Sequence, residues 1–334
     1  MEKFYKVLVI SMLIQLASFF VSYSGENNPQ INGIGDSGLL LNNSSLGTDF
    51  WISIPKNSPL WGWTEGYINI NITSIANTRV MIYDAEFGKT TTKDVEAYQM
   101  VTLSTKTGEL NMNSEITDGE QVLNKALRIT ADDPIIVQVI NYTANSSYGY
   151  TAIPVSQWGN EYYHSGYYDY NYSWYSYSVK NAGGFIIIAS ENSTKITVEL
   201  KGIGKGMAKT TGGNDIGNIL KATLNEGDVY MVRGDGLTKG LYDLTGSRIT
   251  STLPVGVISF HNGTTIPSFY TWGYGSDALA EMMMPVQAWG TKFATVQYDR
   301  SPTMGAESQG EFFRVIGSAA NTHVSCQYFD VTDG

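Results

Sequence analysis

PVSQWG (residues 154–159) returns as PVQAWG (residues 285–290), 131 positions further along the chain. The tetrapeptides that follow, NEYY (160–163) and TKFA (291–294), also correspond, because each leads from a polar pair into aromatic or apolar side chains. Self-similarity at a fixed separation is typical of chains built from repeated structural units. The hexamer therefore predicts a boundary between two units of similar structure.

Longer blocks repeat around the hexamer in the same order. The unit-opening blocks are LGTDFW (46–51), WGNEYY (158–163) and WGTKFA (289–294), later blocks contain the equivalent threonines Thr78, Thr194 and Thr322, and LRITADDPIIVQVIN (127–141) matches SRITSTLPVGVISFH (247–261). Insertions between such fixed blocks are what loops between strands tolerate. We predict a β module at 47–158, a second at 159–289, and the start of a third at 290–334.

The repeated blocks have the patterns of β-strands. YININITS (67–74) and KITVEL (195–200) alternate apolar and polar residues, and PIIVQVI (134–140) and PVGVISF (254–260) are apolar, β-branched runs. Pro134 and Pro254 are expected at the first residue of a strand, where a missing N–H is tolerated. Only residues 277–283 favour a helix. The predicted fold class is all-β, with tandem antiparallel β-sandwich-like modules.

The N-terminal sequence predicts an exported protein. Residues 1–24 have a basic start, an apolar run over 7–21 and small residues before a cleavage point after Ser24, as in a signal peptide, and residues 25–46 read as a linker. A transmembrane anchor is the competing interpretation, but the apolar run is shorter than the roughly 20 residues that span a bilayer. The net charge of −10 disfavours nucleic acid as a partner, and no membrane insertion is expected after cleavage.

The sequence offers little chemistry for catalysis. The histidines His164, His261 and His323 lack metal-ligand spacing, no GxSxG motif is present, and the lone cysteine Cys326 precludes an intrachain disulfide. GIGKG (202–206) lacks the Ser or Thr that would follow in a phosphate-binding loop. We therefore predict no catalytic residues, no metal and no cofactor.

Aromatic residues supply the candidate binding site. In the tyrosine-rich stretch 161–178, Tyr168, Tyr170, Tyr172 and Trp174 alternate with polar residues, so as a strand they would share one face. The loop within 261–285 adds Tyr270 and Trp272. Rigid amphipathic rings suit contacts with sugars or proteins. The alternatives remain that the tyrosine face packs on the module core and that the loop is packed without a ligand.

Two long stretches resemble a known family. GSRITSTLPVGVISFHN (246–262), a loop, and then DALAEMMMPVQAWGTKFATV (277–296) are similar to the amino-terminal domain of the IgGFc-binding protein family, and GTDFWISIPKN (47–57) resembles the opening of its bacterial-type members. His261 and Glu281 fall on matching positions, so His261 joins the candidate site. The family's two loop cysteines are replaced near Gly263 and Ser276, and Ala278 replaces its second histidine. The resemblance implies a secreted or surface-displayed, non-enzymatic binding module without that disulfide.

We therefore expect a secreted or cell-surface binding or adhesion module. Its expected partner is a host or matrix glycoprotein, mucin, glycan or other protein, with immunoglobulin implied only by the resemblance. A structural stalk within a larger extracellular protein is the main alternative. A glycan-active enzyme is the third.

Overall fold

The computed structural model describes residues 7–11, 45–57, 66–110, 115–117, 119–143, 146–174, 177–204, 209–237, 242–266, 276–295 and 313–326. The first half of the chain contains β1 (Val7–Ser11), β2 (Gly47–Ile52), β3 (Ile54–Pro55), β4 (Gly66–Ser74), β5 (Thr78–Asp84), β6 (Lys89–Val95), β7 (Met100–Ser104), β8 (Glu115–Ile116), β9 (Val122–Asn124), β10 (Leu127–Thr143), β11 (Ser146–Thr151) and β12 (Gly159–Tyr163). The second half contains β13 (Tyr170–Trp174), β14 (Tyr177–Asn181), β15 (Gly183–Ala189), β16 (Thr194–Glu199), β17 (Ile203–Gly204), β18 (Ile219–Leu224), β19 (Asp228–Arg233), β20 (Tyr242–Asp243), β21 (Arg248–Thr264), β22 (Asp277–Met282) and β23 (Phe313–Gly317). Single 3₁₀ turns lie at Val155–Gln157 and Val286–Ala288.

The first large sheet is organised around the long strand β10. Its strand order is β6-β5-β10-β4-β7, and β2 and β11 also pair with β10. The N-terminal half of β10 pairs with β2 and β5, whereas its C-terminal half pairs with β4 and β11. One strand thus changes neighbours along its length, which curls the sheet around an apolar interior.

The second large sheet repeats this arrangement around β21. Its order is β18-β16-β21-β15-β19, with β12 and β22 also on β21, and both β10 and β21 contain 17 residues. The short strand β9, which precedes β10 in the chain, extends the edge of this second sheet beside β19. The prediction of an all-β fold with antiparallel, sandwich-like sheets is confirmed.

Two local predictions are wrong. Pro134 and Pro254 lie inside β10 and β21 and do not begin them. Each proline falls where its strand changes neighbours and the pairing register shifts, so no ladder hydrogen bond is lost there. Residues 277–282 form strand β22 against β21, because cross-strand pairing outweighs the helix preference of Ala, Leu, Glu and Met.

The two sheets share one hydrophobic core. Ile70 and Val137 of the first sheet belong to the same buried cluster as Ile186 and Ile258 of the second. A second cluster, which includes Phe185 and several neighbours, covers the opposite face of the second sheet. The predicted modules are therefore packed against each other through apolar side chains, and their boundaries remain a prediction.

The tryptophans of the repeated hexamer are equivalent and buried, as their positions in the repeat predict. Trp158 is 5% exposed and Trp289 is 4% exposed. Each indole Nε1 donates a hydrogen bond to the backbone carbonyl five residues earlier, Ile153 at 2.9 Å and Met284 at 3.1 Å. Each therefore fixes the chain at the end of a 3₁₀ turn.

Candidate binding site at the tyrosine-rich hairpin

Residues 170–181 form a β-hairpin beside the second sheet. Its strands β13 and β14 pair with each other in a two-stranded sheet, with Tyr170 opposite Asn181 and Trp174 opposite Tyr177. In the chain the hairpin lies between β12 and β15. The aromatic residues of this segment thus belong to an element that is separate from the two large sheets.

The C-terminal end of β21 holds the base of the hairpin. His261 Nε2 lies 3.0 Å from the Tyr168 carbonyl oxygen, and the Gly263 backbone N–H donates to His261 Nδ1 at 3.2 Å. These two contacts assign the neutral tautomer with the proton on Nε2. On the other side of the hairpin, the Ala182 backbone N–H donates to Asn262 Oδ1 at 2.8 Å. Both ends of the hairpin are therefore tied to adjacent residues of one strand.

His261 is fully buried, so its role in the candidate site is indirect. Burial lowers the pKa of His261 to about 4, because the charged imidazolium would lose its hydration. The second buried histidine, His164, lies 2.8 Å from the Ser259 hydroxyl through Nδ1. Burial, with the nearby charge of Arg314, lowers the pKa of His164 to about 3. Both rings are neutral, and His261 holds the backbone at Tyr168 and Gly263.

Asp169 lies at the start of the hairpin and is only 2% exposed. Its Oδ2 accepts a hydrogen bond from the Gly236 backbone N–H at 3.2 Å. Burial, followed by the charges of Asp235 and Asp243, raises the pKa of Asp169 to about 8. A Cβ atom on Gly234 would approach Asp169 Oδ1 to 2.8 Å, so the close fit requires glycine. At neutral pH Asp169 is protonated and packed inside the base of the hairpin.

Arg314 joins the last described strand to the same site. Its Nη1 donates to Asp243 Oδ2, to Thr245 Oγ1 and to the Gly166 carbonyl oxygen, each at 2.7 Å. The guanidinium carbon lies 5.1 Å from the centre of the Tyr167 ring and 5.3 Å from that of Tyr168, within the range of cation–π attraction. Through Arg314, strand β23 therefore packs against the residues at the base of the hairpin.

The structure brings together three of the residues predicted from sequence. Tyr168 and Tyr170 are half-buried at the base of the hairpin, and His261 lies beneath Tyr168. Tyr172 and Trp174 follow in β13. Tyr270 and Trp272 lie outside the described residues.

Sequence reasoning missed Asp169, Asp243 and Arg314. Asp243 and Arg314 are 71 residues apart, and Asp169 is hidden among tyrosines that alternate with polar residues. Nothing in their local sequence distinguishes a buried carboxyl group from an exposed one.

Within the described part of the chain, no three His, Cys, Asp or Glu side chains are grouped to hold a metal ion. None of its helices is long and apolar enough to cross a membrane.

Comparisons with known proteins place this geometry in context. A family model described as IgGFc binding protein matches residues 148–332, which include the hairpin, its buried base and β21. Among curated proteins, the IgGFc-binding protein of Homo sapiens is 24% identical over 204 residues. The alignment covers 60% of this chain but only 3% of that protein, so the chain spans a small part of its length. No solved structure matches the chain significantly.

Proposed function

The chain belongs to the IgGFc-binding protein family, and we propose that it is an exported, non-enzymatic binding protein whose tyrosine-rich hairpin contacts an extracellular glycoprotein. The family match supports a binding role because it covers the hairpin and the strands that hold it. The relative's name refers to the Fc part of IgG. Immunoglobulins are therefore included among the candidate partners of this chain.

The observation that carries the proposal is the fixed base of the hairpin. His261, Asn262 and Asp169 are buried and hydrogen-bonded to backbone groups at its two ends or to the loop beside it. A segment whose two ends are already fixed loses less conformational entropy on binding. Tyrosines combine a large apolar ring with a polar hydroxyl, which suits contacts with a partly hydrated protein surface. The hairpin therefore has the properties of a preorganised contact surface.

The proposal places the mature protein outside the cytoplasm, secreted or on the cell surface. Export would include cleavage after Ser24, which removes β1. In the full chain β1 pairs with β23. N-terminal sequencing of protein from the medium or cell surface should give Gly25 as the first residue. Mature protein that still begins at Met1 would contradict this part of the proposal.

Single substitutions test the hairpin directly. We expect Tyr170→Ala and Tyr172→Ala in the exported protein to bind at least tenfold more weakly to the best ligand in a panel of immunoglobulins and mucin glycoproteins, because truncating a central aromatic contact typically costs about 2 kcal/mol or more. Tyr98→Ala is the matched control, since Tyr98 is 78% exposed and lies in the first unit. Circular dichroism checks that each variant is folded.

Three results would overturn the assignment. The panel could contain no ligand for the parent protein, both hairpin variants could retain full affinity while folded, or Tyr98→Ala could weaken binding as much as they do. If Tyr170→Ala unfolds, Tyr170→Phe keeps the ring and removes only the hydroxyl, and it should still weaken binding.

A structural spacer is the second candidate function. The shared core of the two sheets favours it, because such a core joins both units into one rigid body. A spacer needs no ligand. Glycoprotein binding that depends on the hairpin would therefore exclude a spacer as the sole function.

A further inference from the structure

A cross-strand row of side chains runs over the first sheet beside its junction with the second. Trp51 of β2 is opposite Arg128 of β10, Arg128 is opposite Tyr83 of β5, and Tyr83 is opposite Thr90 of β6. Directly opposed residues of antiparallel strands point to the same face of the sheet. The four side chains therefore form one continuous strip, well separated in the chain from the tyrosine-rich hairpin.

This strip forms the floor of a groove of about 700 Å³. Its walls include Met81, Asn124 and Glu226, and it is partly apolar, since Met81 is 46% and Tyr83 is 39% exposed. A volume of roughly 300–1,000 Å³ is usual for small-ligand sites. The groove is thus large enough for one or two sugar rings.

The turn at 225–228 of the second sheet closes one end of the groove. Gly227 has a φ of +82°, and a Cβ atom there would lie 2.9 Å from Ala85 Cβ and 3.2 Å from Trp51 Cζ3. Its carbonyl oxygen accepts a hydrogen bond from the Ala126 backbone N–H at 3.1 Å. This close approach brings Glu226 Oε1 to 2.8 Å from Arg128 Nη1. The groove is therefore built from both sheets and has fixed walls.

In the second sheet, the equivalent row of side chains is joined by ion pairs on both sides of its arginine. There the equivalent residues are Tyr163, Arg248, Glu199 and Ile219. Arg248 binds Glu161 at 2.7 Å and Glu199 at 3.1 Å. In the first sheet Arg128 binds Asp49, the counterpart of Glu161, but Tyr83 stands where Glu199 would be. Both sheets fold with the same strand order, so the exposed tyrosine is not a requirement of the fold.

The chemistry of the groove favours a neutral sugar. An exposed tyrosine ring can pack on the apolar face of a sugar, and Asn124, Glu226, Thr90 and Thr130 offer donors and acceptors for its hydroxyls. Asp49 and Glu226 outweigh the single charge of Arg128, which disfavours sialylated or sulfated sugars. Beneath the groove, the buried Trp51 ring packs under the Arg128 guanidinium, whose carbon lies 5.6 Å from the ring centre, which fixes the floor.

We propose that this groove binds a neutral sugar residue of a glycan, at a site separate from the tyrosine-rich hairpin. The test uses the exported chain and an array of defined glycans. The neutral probes are lactose, N-acetyllactosamine and mannotriose, and the acidic probes are sialylated and sulfated N-acetyllactosamine. The expected result is saturable binding of at least one neutral probe and weaker binding of both acidic ones.

Two substitutions at Tyr83 make the test specific. Tyr83→Glu copies the arrangement of the second sheet, so it should fold normally and close the row through Arg128. Tyr83→Ala removes the stacking ring. Both variants should bind the neutral probe at least tenfold more weakly, a loss typical of a central aromatic contact. Tyr98→Ala should bind it unchanged, since Tyr98 is exposed and lies outside the groove.

The proposal is overturned if no neutral probe binds, if the acidic probes bind more tightly, or if a folded Tyr83 variant retains parental affinity. Loss of sugar binding in Tyr170→Ala would assign the sugar to the hairpin instead. The proposed glycoprotein function can fail without affecting the sugar-binding result. It is tested with a different panel of ligands and with substitutions in the hairpin.

Discussion

His164, His261 and Asp169 are uncharged inside the protein at neutral pH. Burial lowers the histidine pKa values to about 3 and about 4, and burial with two neighbouring acids raises the pKa of Asp169 to about 8. When the chain unfolds, the histidines regain a pKa near 6.5 and the aspartate one near 3.8. At the scale of single residues, folding is therefore coupled to proton uptake and release in opposite directions.

The contribution of His164, His261 and Asp169 to the free energy of unfolding should be greatest near pH 6.5. Between about pH 4 and 6.5 the unfolded chain binds two histidine protons while the native state keeps one on Asp169, so this cluster makes stability rise with pH by about 1.4 kcal/mol per unit. Between pH 6.5 and 8 the native state alone keeps the Asp169 proton, so the same coupling makes stability fall. Urea unfolding at several pH values measures both slopes.

Asp169→Asn should make the decline above pH 6.5 shallower, because the amide has no proton to lose, and the rest of the decline comes from Glu281, whose pKa burial raises to about 7. The control is Asp94→Asn, since Asp94 forms an exposed pair with Arg79 and should leave the decline in place. A decline of parental steepness in Asp169→Asn would show that Asp169 is not the group responsible.

Arg314→Met should lower the free energy of unfolding by about 3–5 kcal/mol, because it leaves the buried carboxylate of Asp243 without its cation. The double variant Arg314→Met/Asp243→Asn should recover part of this loss. Arg79→Met removes an exposed, solvent-screened pair and should change stability far less than Arg314→Met does. Equal effects of the two arginine substitutions would contradict the buried role of Arg314.

At the scale of elements, the strands visible in the sequence are those whose own residues carry the signal. Residues 67–74 alternate in polarity because one face of β4 is buried and the other is not. β22 could not be predicted, because its residues favour a helix and only pairing with β21 makes it a strand. The tyrosine-rich stretch was recognisable from composition as a strand, but its pairing into a hairpin and its buried base depend on contacts that composition does not show.

Gly263 and Ser276 lie close together at the end of β21 and the start of β22. A Cβ atom on Gly263 would be 3.2 Å from Ser276 Oγ, a separation compatible with a disulfide once the Asn181 side chain shifts. Gly263→Cys/Ser276→Cys should therefore form a disulfide that closes the intervening loop. Mass spectrometry with and without reductant measures it, and the single variants are controls. Free thiols in the oxidised double variant would contradict the geometry.

Trp158→Ala and Trp289→Ala should each lower the free energy of unfolding by roughly 3–5 kcal/mol, because both rings are buried at equivalent positions. The Phe variants keep most of the apolar contact and lose only the indole hydrogen bond, so they should be less destabilised. Urea unfolding monitored by far-ultraviolet circular dichroism provides the values. Alanine variants as stable as the parent would contradict the stabilising role of these two buried rings.

At the scale of the whole molecule, the repeat in the sequence corresponds to two sheets with the same strand order. The sequence could not show that the sheets share a core, because the contacts join residues from both repeats. In the last segment, Thr322 Oγ1 donates to the Ala319 carbonyl at 2.7 Å, as Thr194 does to Glu191. This matching turn supports the proposal that a third unit begins near residue 290.

The central claim is that the hairpin on this two-sheet scaffold contacts a glycoprotein partner. Hydrogen–deuterium exchange of the exported protein, alone and saturated with the panel member that it binds most tightly, tests it most directly. The account predicts slower exchange on binding in residues 167–181 and unchanged exchange in residues 66–74 and 100–104 of the first sheet, which lie outside the proposed sugar groove. Unchanged exchange in the hairpin with protection confined to other segments, or no binding to any panel member, would contradict it.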